Sequence, residues 1–462
     1  MDSSHSPSSP KEIRILTLNC WGLKYISALR VPRVAQIAQQ LASLSPAPQI
    51  VALQECFTQQ DFQTIHQTTR YILPYAKFYY AGVFGGGLAI LSAWPIEEGE
   101  MTTYPLNGRP SAFWRGDWYV GKGIARAKIR FGDGDKDVVE VFNTHTHAPY
   151  GTAPGSQYTA HRTSQAWLMR SQIQRAAQTG ALVVSLGDFN MLPLSLAHRI
   201  ISASPVRDTW RVIHPSSSLG PSSHPAEAAR GLPIPTAETN LLLNGATSDS
   251  VYNTWRWNKP EQQRLSKGDP QPVDPTTPDP RGKRLDYVFA STGAEPGSKR
   301  GWVVNSVAVG MTERHPSLHV SLSDHFAVCT TLKYHDVDAD VANASYEEQL
   351  QYNHKEQDAL SEEVLDEILA MIHEFTAGEQ RQQKWRSIHF YISVVFWIAA
   401  MVALDFTGAF AVLLAVVGSL VLLSGVIDGL IALIFFSWEL RSLKEFEWQI
   451  NNAKQSIRHK IL

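Results

Sequence analysis

At 462 residues, 44% of them hydrophobic, the chain is long enough to bury a sizeable core, and its formal net charge of -2 lacks the basic excess that nucleic-acid binders normally carry. Three cysteines, Cys20, Cys56 and Cys329, are odd in number and at no metal-ligand spacing, which argues against a disulfide framework or a zinc site and for a reducing compartment.

Residues 1–11 are rich in Ser and Pro and lack the apolar stretch of a signal peptide, so a disordered leader is expected. A catalytic domain is predicted over 12–335. Within it, apolar runs suited to buried strands lie at Ile13–Leu18, Ile50–Leu53, Leu88–Ser92, Val138–Phe142, Leu182–Leu186, Leu285–Ala290 and Phe326–Leu332. Helices are predicted over Val34–Leu44 and Tyr158–Ala177, the second with Trp167, Leu168 and Ile173 as its apolar stripe. Many strands with helices between them imply a layered α/β fold. Gly85-Gly86-Gly87 lacks the Lys-Ser/Thr of a phosphate loop and reads as a tight entry into a strand. Two stretches rich in Pro, Ser, Gly and Asp, Pro215–Pro235 and Lys267–Arg281, read as surface insertions.

An amphipathic helical linker is expected over 336–386, with Ser361 as N-cap and Val364, Leu365, Ile368, Leu369 and Ile372 on one face. Its polar face is acidic, which favours packing over lipid insertion. Two uncharged apolar runs follow, and a bilayer takes about 20 apolar residues to cross. Two transmembrane helices are predicted at 388–404 and 409–437 within the segment 387–438, and a tail at 439–462. Arg381, Lys384 and Arg386 before the pair, with Arg441 and Lys444 after it, place both ends and the catalytic domain on the cytosolic side. Asn343-Ala344-Ser345 would then stay unglycosylated. Asp428, inside the second span, calls for a partner, and Trp397 lies at a matching depth.

The chemistry-bearing residues sit at strand ends. Asn19 closes one apolar run and Glu55 follows another, which suits a hard cation. Gly187-Asp188-Phe189-Asn190 presents an acid and an amide two apart, on one side if extended. Leu285-Asp286-Tyr287 and Ser323-Asp324-His325 complete the series. Singly, each of these residues reads more readily as a surface or turn residue; their order and placement carry the signal. His161, His214, His224 and His315 read as solvated or structural, and His147 as near the cleft.

Leu18-Asn19, Gln54-Glu55, Asn143-Thr144-His145, Gly187-Asp188-Phe189-Asn190, Arg284-Leu285-Asp286-Tyr287 and Ser323-Asp324-His325 resemble, in order, the motifs of the endonuclease/exonuclease/phosphatase superfamily from about Ile13 to Leu332. Asn19-Cys20-Trp21-Gly22, Gly87-Leu88-Ala89-Ile90-Leu91-Ser92, Gly121-Lys122-Gly123, Ala160-His161-Arg162 and Gln165-Ala166-Trp167 are similar to the neutral sphingomyelinases. The two C-terminal spans resemble the fungal inositol phosphosphingolipid phospholipase C branch.

The resemblance implies a four-layer α/β sandwich of the DNase I-like kind, followed by the two-helix transmembrane hairpin. It implies magnesium as cofactor, with manganese as the alternative ion. By matching motif, Glu55 would ligate the metal with help from Asn19, and His325 would be the general base, oriented by Asp286. Asp188 and Asn190 would orient water and phosphate, His145 would donate a hydrogen bond to the transition state, and Asp324 would add electrostatic or metal support. The activity implied is hydrolysis of phosphosphingolipids, inositol phosphoceramides or sphingomyelin, to ceramide and phosphorylated headgroup.

The implied partners are the bilayer substrate, an anionic lipid such as phosphatidylserine as activator, and a second copy of the chain through the linker and transmembrane helices, with no nucleic acid. The implied location is the endoplasmic reticulum, with the outer mitochondrial membrane as alternative. Ala148 to Gln157 departs from relatives that carry Asp and Lys there, which puts the lipid-activation switch in question. The competing readings are a membrane-tethered nuclease or phosphoinositide phosphatase on the same scaffold, and a catalytically silent membrane scaffold.

Overall fold

The structure is a computed structural model that describes residues 10–112, 115–151, 158–269, 271–295, 297–351 and 360–461. Residues 1–9 of the expected leader, residues 113–114, the stretch 152–157 and residues 352–359 of the expected linker lie outside the described residues. The chain divides into two compact units. One comprises Met1–Tyr104, Tyr119–Pro149 and Gln165–Ala359; the other comprises Pro105–Trp118, Tyr150–Ser164 and Leu360–Leu462.

The first unit holds twelve strands among its described residues: β1 (Glu12–Asn19), β2 (Ile50–Gln54), β3 (Tyr75–Phe78), β4 (Ala89–Ser92), β5 (Ile96–Thr103), β6 (Gly123–Arg130), β7 (Val138–His145), β8 (Leu182–Asp188), β9 (Arg207–Asp208), β10 (Asp286–Ala290), β11 (Arg300–Gly310) and β12 (Ala327–Asp336). They form two six-stranded sheets, ordered β11-β12-β1-β2-β4-β3 and β5-β6-β7-β8-β10-β9. Each sheet has one parallel pair at its centre, β1 with β2 and β7 with β8, and its other neighbours run antiparallel. A parallel pair needs a crossover, and helices supply it: α1 (Arg30–Ser43) joins β1 to β2, and α3 (Thr159–Ala177) joins β7 to β8. Between them in sequence lies α2 (Gln59–Thr69).

Strand periodicity fixes the layers. Ile13, Ile15, Ile50, Ala52 and Ile90 of the first sheet share one core with Ala125, Ala127, Val139, Val141, Val184, Leu186 and Val288 of the second. The alternate residues Leu16, Leu18, Val51, Leu53 and Leu91 turn outward onto Val34, Ile37, Ala38 and Leu41, the i, i+3, i+4, i+7 face of α1. On β10, Tyr287 and Phe289 likewise face away from the shared core and meet Phe189 and His198, the latter on the short helix Leu196–Ser202. The result is helix, sheet, sheet, helix, the four-layer sandwich the motifs imply. One polar tie crosses the middle: Gln54 Nε2 donates to Asn143 Oδ1 at 2.7 Å, and Asn143 Nδ2 donates to the Leu53 and Ala89 carbonyls at 3.0 Å each.

Every predicted strand is present, and several strands exist that apolar runs did not announce. β5 reads Ile-Glu-Glu-Gly-Glu-Met-Thr-Thr, a largely exposed edge strand, and β6 alternates as Gly-Ile-Ala-Arg-Ala-Lys-Ile-Arg. α1 begins four residues before the predicted start at Val34, because Val31 and Pro32 fit a helix's first turn. The first unit also includes α4 (Ala344–Gln351).

The second unit is built on long helices. α5 (Glu362–Ala403) is capped by Ser361, whose hydroxyl accepts from the Val364 amide at 3.4 Å, and Leu365, Ile368 and Ile372 are buried on one face. It runs unbroken from the expected linker into the first apolar stretch. After the turn Leu404–Phe410, α6 (Ala411–Leu430) continues through a wider π turn, Ile431–Phe436, into α7 (Ser437–Ile461). The two helical arms are long and apolar enough to cross a membrane, and only 11% of either apolar window is buried, unlike the core helices of a soluble domain. This points to membrane association. They approach closely where α6 carries glycine: a Cβ at Gly425 would stand 2.3 Å from Ser393 Cβ, and one at Gly418 would stand 3.3 Å from Ala400 Cβ.

The expected pairing of Asp428 with Trp397 is not found. Asp428 instead forms an ion pair with Arg386 and accepts from His389 Nδ1 at 2.8 Å. Depth counting matched the aspartate to an indole, but a carboxylate gains more from a guanidinium about three turns nearer the helix end. Further along, Arg109 pairs with Glu379, and His161 Nε2 lies 3.2 Å from Glu439 Oε1.

Candidate active site

The strand ends of the two central parallel pairs supply the site. Asn19 is the last residue of β1, Glu55 follows β2, His145 ends β7 and Asp188 ends β8. Register brings the second sheet's members together, since β7 pairs His145 with Asp188 and β10 pairs Asp286 with Asp188. Asn19 Nδ2 joins the sheets, donating to Glu55 Oε1 at 3.1 Å and to Asp188 Oδ2 at 3.0 Å. Its own Oδ1 accepts from the Trp21 amide at 2.9 Å, which fixes the amide's orientation.

Glu55 adopts φ +52°, a left-handed conformation that a glutamate rarely takes. Two glycines hold it there. A Cβ on Gly22 would stand 2.3 Å from the Glu55 carbonyl oxygen, and one on Gly87 would stand 3.1 Å from the Glu55 Cα. Gly87 itself has φ +67°, so the glycine run is both an entry to β4 and a wall behind Glu55. Trp21 at +46° and Asn190 at +44° share the left-handed geometry, and such outliers gather where a fold aims side chains for chemistry.

His325 and Asp286 form a dyad. Nδ1 of the imidazole lies 2.8 Å from Asp286 Oδ2, which leaves Nε2 on the side of Asp188, 3.9 Å from its Oδ2. Burial opposes protonation of His325, but the summed charge of Asp286, Asp188 and Asp324 overrides it and pushes the imidazole well above its usual range. Burial also lifts Asp188 to about 6 and, with Asp324 adding to it, lifts Glu55 to about 7. Asn19, Lys122 and His325 each act in the other direction on Glu55.

Asn190 places its backbone amide 2.9 Å from Asp188 Oδ1 and its side-chain Nδ2 3.2 Å from the Thr146 carbonyl. His145 Nε2 is 3.5 Å from Asp188 Oδ2. Asp324 is half-buried, and Arg256 Nη2 reaches to 4.0 Å of its Oδ2. All eight residues named from the sequence therefore lie in one cluster. His147 is buried, with Nδ1 2.9 Å from the Ala148 carbonyl oxygen.

Four carboxylates face Lys122 and His325 in this cluster, an excess of buried negative charge that calls for a cation. Asp188, Asp286 and His325 can each offer an atom within 4.8 Å of the others. Carboxylate oxygens are donors a hard divalent ion takes. A divalent metal therefore fits the residues present.

The motif order agrees with a family pattern: residues 16–325 match the model of the endonuclease/exonuclease/phosphatase family. The chain belongs to this family. Among similar proteins, an inositol phosphosphingolipids phospholipase C of Schizosaccharomyces pombe is 36% identical over 85% of this chain and 82% of that protein. One of the same description from Saccharomyces cerevisiae is 31% identical over 87% of this chain and 80% of its own length. Human sphingomyelin phosphodiesterase 2 is 33% identical over 41% of this chain and 44% of its own length.

In this family member, several supporting groups escaped the sequence reading. Arg33, fully buried, donates to the carbonyls of Cys20, Trp21, Ala28 and Leu322, and its guanidinium lies 4.6 Å from the Trp21 ring, so it pins the loops behind Asn19 and Asp324. Ser323 Oγ donates to the Asn19 carbonyl at 2.6 Å and accepts from the His325 amide at 3.2 Å. Thr247 Oγ1 accepts from the amides of Leu285 and Asp286 at 3.2 and 3.3 Å. The last two carry no sequence signal, because hydroxyls of this kind are common in any loop. An arginine on the apolar face of α1 was the one available hint for Arg33.

Proposed function

We propose that the chain is a membrane-anchored, magnesium-dependent phospholipase C that hydrolyses phosphosphingolipids to ceramide and phosphorylated headgroup. Similarity to proteins described as phospholipase C and sphingomyelin phosphodiesterase supports phosphoric diester hydrolysis, and the observation that carries its chemistry is the strand-end cluster. Asn19 bridges Glu55 to Asp188 while Asp286 holds His325 with Nε2 turned inward. Inositol phosphoceramide is the favoured substrate and sphingomyelin the second, following the descriptions of the similar proteins.

Hydrolysis adds water across the P–O bond to ceramide: oxygen goes to phosphorus, and a proton ends on the departing ceramide oxygen. His325 Nε2 takes the proton of the attacking water, and Asp286 at Nδ1 fixes the tautomer and stabilises the imidazolium that forms. Asp188 and Asn190 orient that water, and His145 donates to the charge developing on the phosphoryl group. Glu55 would hold magnesium, which when bound neutralises phosphoryl charge, and Asn19 assists by donating Nδ2 to the Glu55 and Asp188 carboxylates. Asp324 adds negative potential at the same point.

The apolar helical arms would cross the membrane twice, with both ends and the catalytic unit cytosolic, in the endoplasmic reticulum. Anionic lipid such as phosphatidylserine would activate the enzyme, and the helices would support a homodimer. The test is purified full-length chain assayed on inositol phosphoceramide and on sphingomyelin vesicles, with and without phosphatidylserine. Magnesium-dependent ceramide release is expected. Inorganic phosphate release without ceramide would favour a phosphatase instead.

A further inference from the structure

Beside His325 lies a second charged group that the hydrolysis itself does not use. Ser248 makes isolated antiparallel bridges to both His325 and Lys283, so the next residue, Asp249, is carried to the rim of the site. Asp249 adopts φ +58°, in the left-handed region. Its Oδ1 lies 2.6 Å from Arg256 Nε, and its Oδ2 lies 2.6 Å from Lys283 Nζ. Two cations thus share one carboxylate next to the histidine.

The loop that bears Arg256 is stapled to the loop that bears Asp324 and His325. Its single 3-10 turn, Thr254–Arg256, is capped by Asn253, whose Oδ1 accepts from the Trp255 amide at 3.1 Å while its Nδ2 donates to the Ser323 carbonyl at 3.0 Å. The Ser321 amide donates to Thr254 Oγ1 at 2.8 Å, and Trp255 Nε1 donates to the Ser321 carbonyl at 2.8 Å. Arg256 is exposed and Lys283 half-buried. Arg256 Nη2 is 4.0 Å from Asp324 Oδ2, beyond hydrogen-bond reach, so among the described residues the outer edge of its fork is left to solvent or ligand. Arg281 Nη2 donates to the Arg256 carbonyl at 3.3 Å and adds a third cation to the rim.

Water attacks from the side of His325, and in an in-line displacement the ceramide oxygen departs from the opposite side. Groups that flank His325 are therefore in reach of the headgroup and not of the ceramide chains. Arginine and lysine offer donors and no acceptor. Inositol presents a ring of hydroxyls that can accept from them, whereas choline presents a trimethylammonium that accepts nothing and is repelled by like charge. We propose that Arg256 and Lys283, set in place by Asp249, form a headgroup subsite that favours inositol over choline. The assignment rests on hydrolysis of phosphosphingolipid by this site, as proposed above.

The test compares full-length parent, Arg256→Gln and Lys283→Gln on inositol phosphoceramide and on sphingomyelin in matched vesicles. The readout is the ratio of the two kcat/KM values, in which any loss of folded protein cancels. Arg256→Gln is expected to lower the inositol-to-choline ratio about tenfold, the scale of a lost hydrogen bond from a charged group. Lys283→Gln is expected to lower it about threefold, since an ammonium offers a point charge rather than a fork. Calorimetry gives a readout without turnover: inositol 1-phosphate and phosphocholine are each titrated into the protein in magnesium, and Arg256→Gln is expected to weaken only the first. Where the parent cleaves inositol phosphoceramide alone, that titration decides. An unchanged ratio, or equal weakening of both headgroups as a merely structural ion pair would give, would overturn the subsite and leave the hydrolase reading intact. Ceramide release from neither substrate by the parent would overturn that reading and the subsite with it.

Discussion

Both units of the chain bury carboxyl groups, and they hold them in different ways. In the first unit Glu55, Asp188 and Asp286 stand at strand ends on strained or register-fixed backbone, tied mainly to Asn19 and His325. In the second unit Glu379 and Glu439 project from regular helices, where Arg109 pairs with Glu379 and His161 lies beside Glu439. Burial lifts carboxyls in both places: Glu55 to about 7 and Asp188 to about 6, Glu379 to about 8 and Glu439 to about 7. A raised carboxyl therefore does not mark a catalytic site. What separates the two is that the strand-end group combines excess negative charge with a histidine held by an aspartate and with left-handed backbone at Glu55 and Asn190, whereas the helical pair has neither.

The contrast can be broken most forcefully at Glu55. Glu55→Ala is expected to abolish divalent metal binding in calorimetry and to lower kcat by about 10³-fold, the scale of lost charge stabilisation. Glu379→Ala should leave metal binding intact. Equal metal binding by the Glu55 variant and the parent would remove the distinction.

Asp286→Asn should cost about 10²-fold in kcat, because an amide can leave His325 in the wrong tautomer. It also removes one of the charges that raises the imidazole. His325 would then lose its proton at lower pH, so the acid limb of the pH–rate profile should move downward. An unchanged acid limb would contradict the dyad.

Gly87→Ala tests the strained backbone. The added methyl meets the Glu55 Cα and the Phe57 ring, and it sits at a φ that costs about 1 kcal/mol or more for a side chain. Weaker metal binding by about tenfold is expected, with a lower thermal midpoint. Normal metal affinity in a stable Gly87→Ala protein would show that the glycine wall does not position Glu55.

The smallest effect is expected in the helical unit. Burial, then the nearby Glu439, raise Glu379 from an ordinary 4.5 to about 8 against the pull of Arg109, so the folded chain holds a proton there that the unfolded chain releases. Stability from this group is full below pH 4.5 and declines as pH rises toward 8. Glu379→Gln should flatten that decline, shifting the midpoint at pH 8 relative to pH 5 by only a few degrees. A parent protein whose midpoint rises from pH 5 to pH 8 through this residue would reverse the sign.

The apolar runs at Ile13–Leu18 and Leu182–Leu186 made the central strands readable, because a strand buried on both faces has little alternative. The site residues were readable for the same reason, as Asn19, Glu55, His145, Asp188 and Asn190 close or follow such runs and Asp286, Asp324 and His325 open or precede them. β5 escaped because an exposed edge strand has no apolar signature, and β6 because only its alternation betrays it. Arg33, Ser323 and Thr247 act through backbone carbonyls and amides distant in sequence, for instance Arg33 on the Leu322 carbonyl, and no local pattern reports that. Asp428 shows the same limit, since its need for a partner was legible and the partner was not.

The central claim, that the strand-end cluster hydrolyses phosphosphingolipid with a divalent ion, is tested most directly by ceramide release from inositol phosphoceramide vesicles in magnesium. Parent full-length chain and His325→Ala are compared side by side. The expected result is ceramide release by the parent that chelator abolishes and that His325→Ala lowers by about 10³-fold. Equal ceramide release by parent and His325→Ala would contradict it.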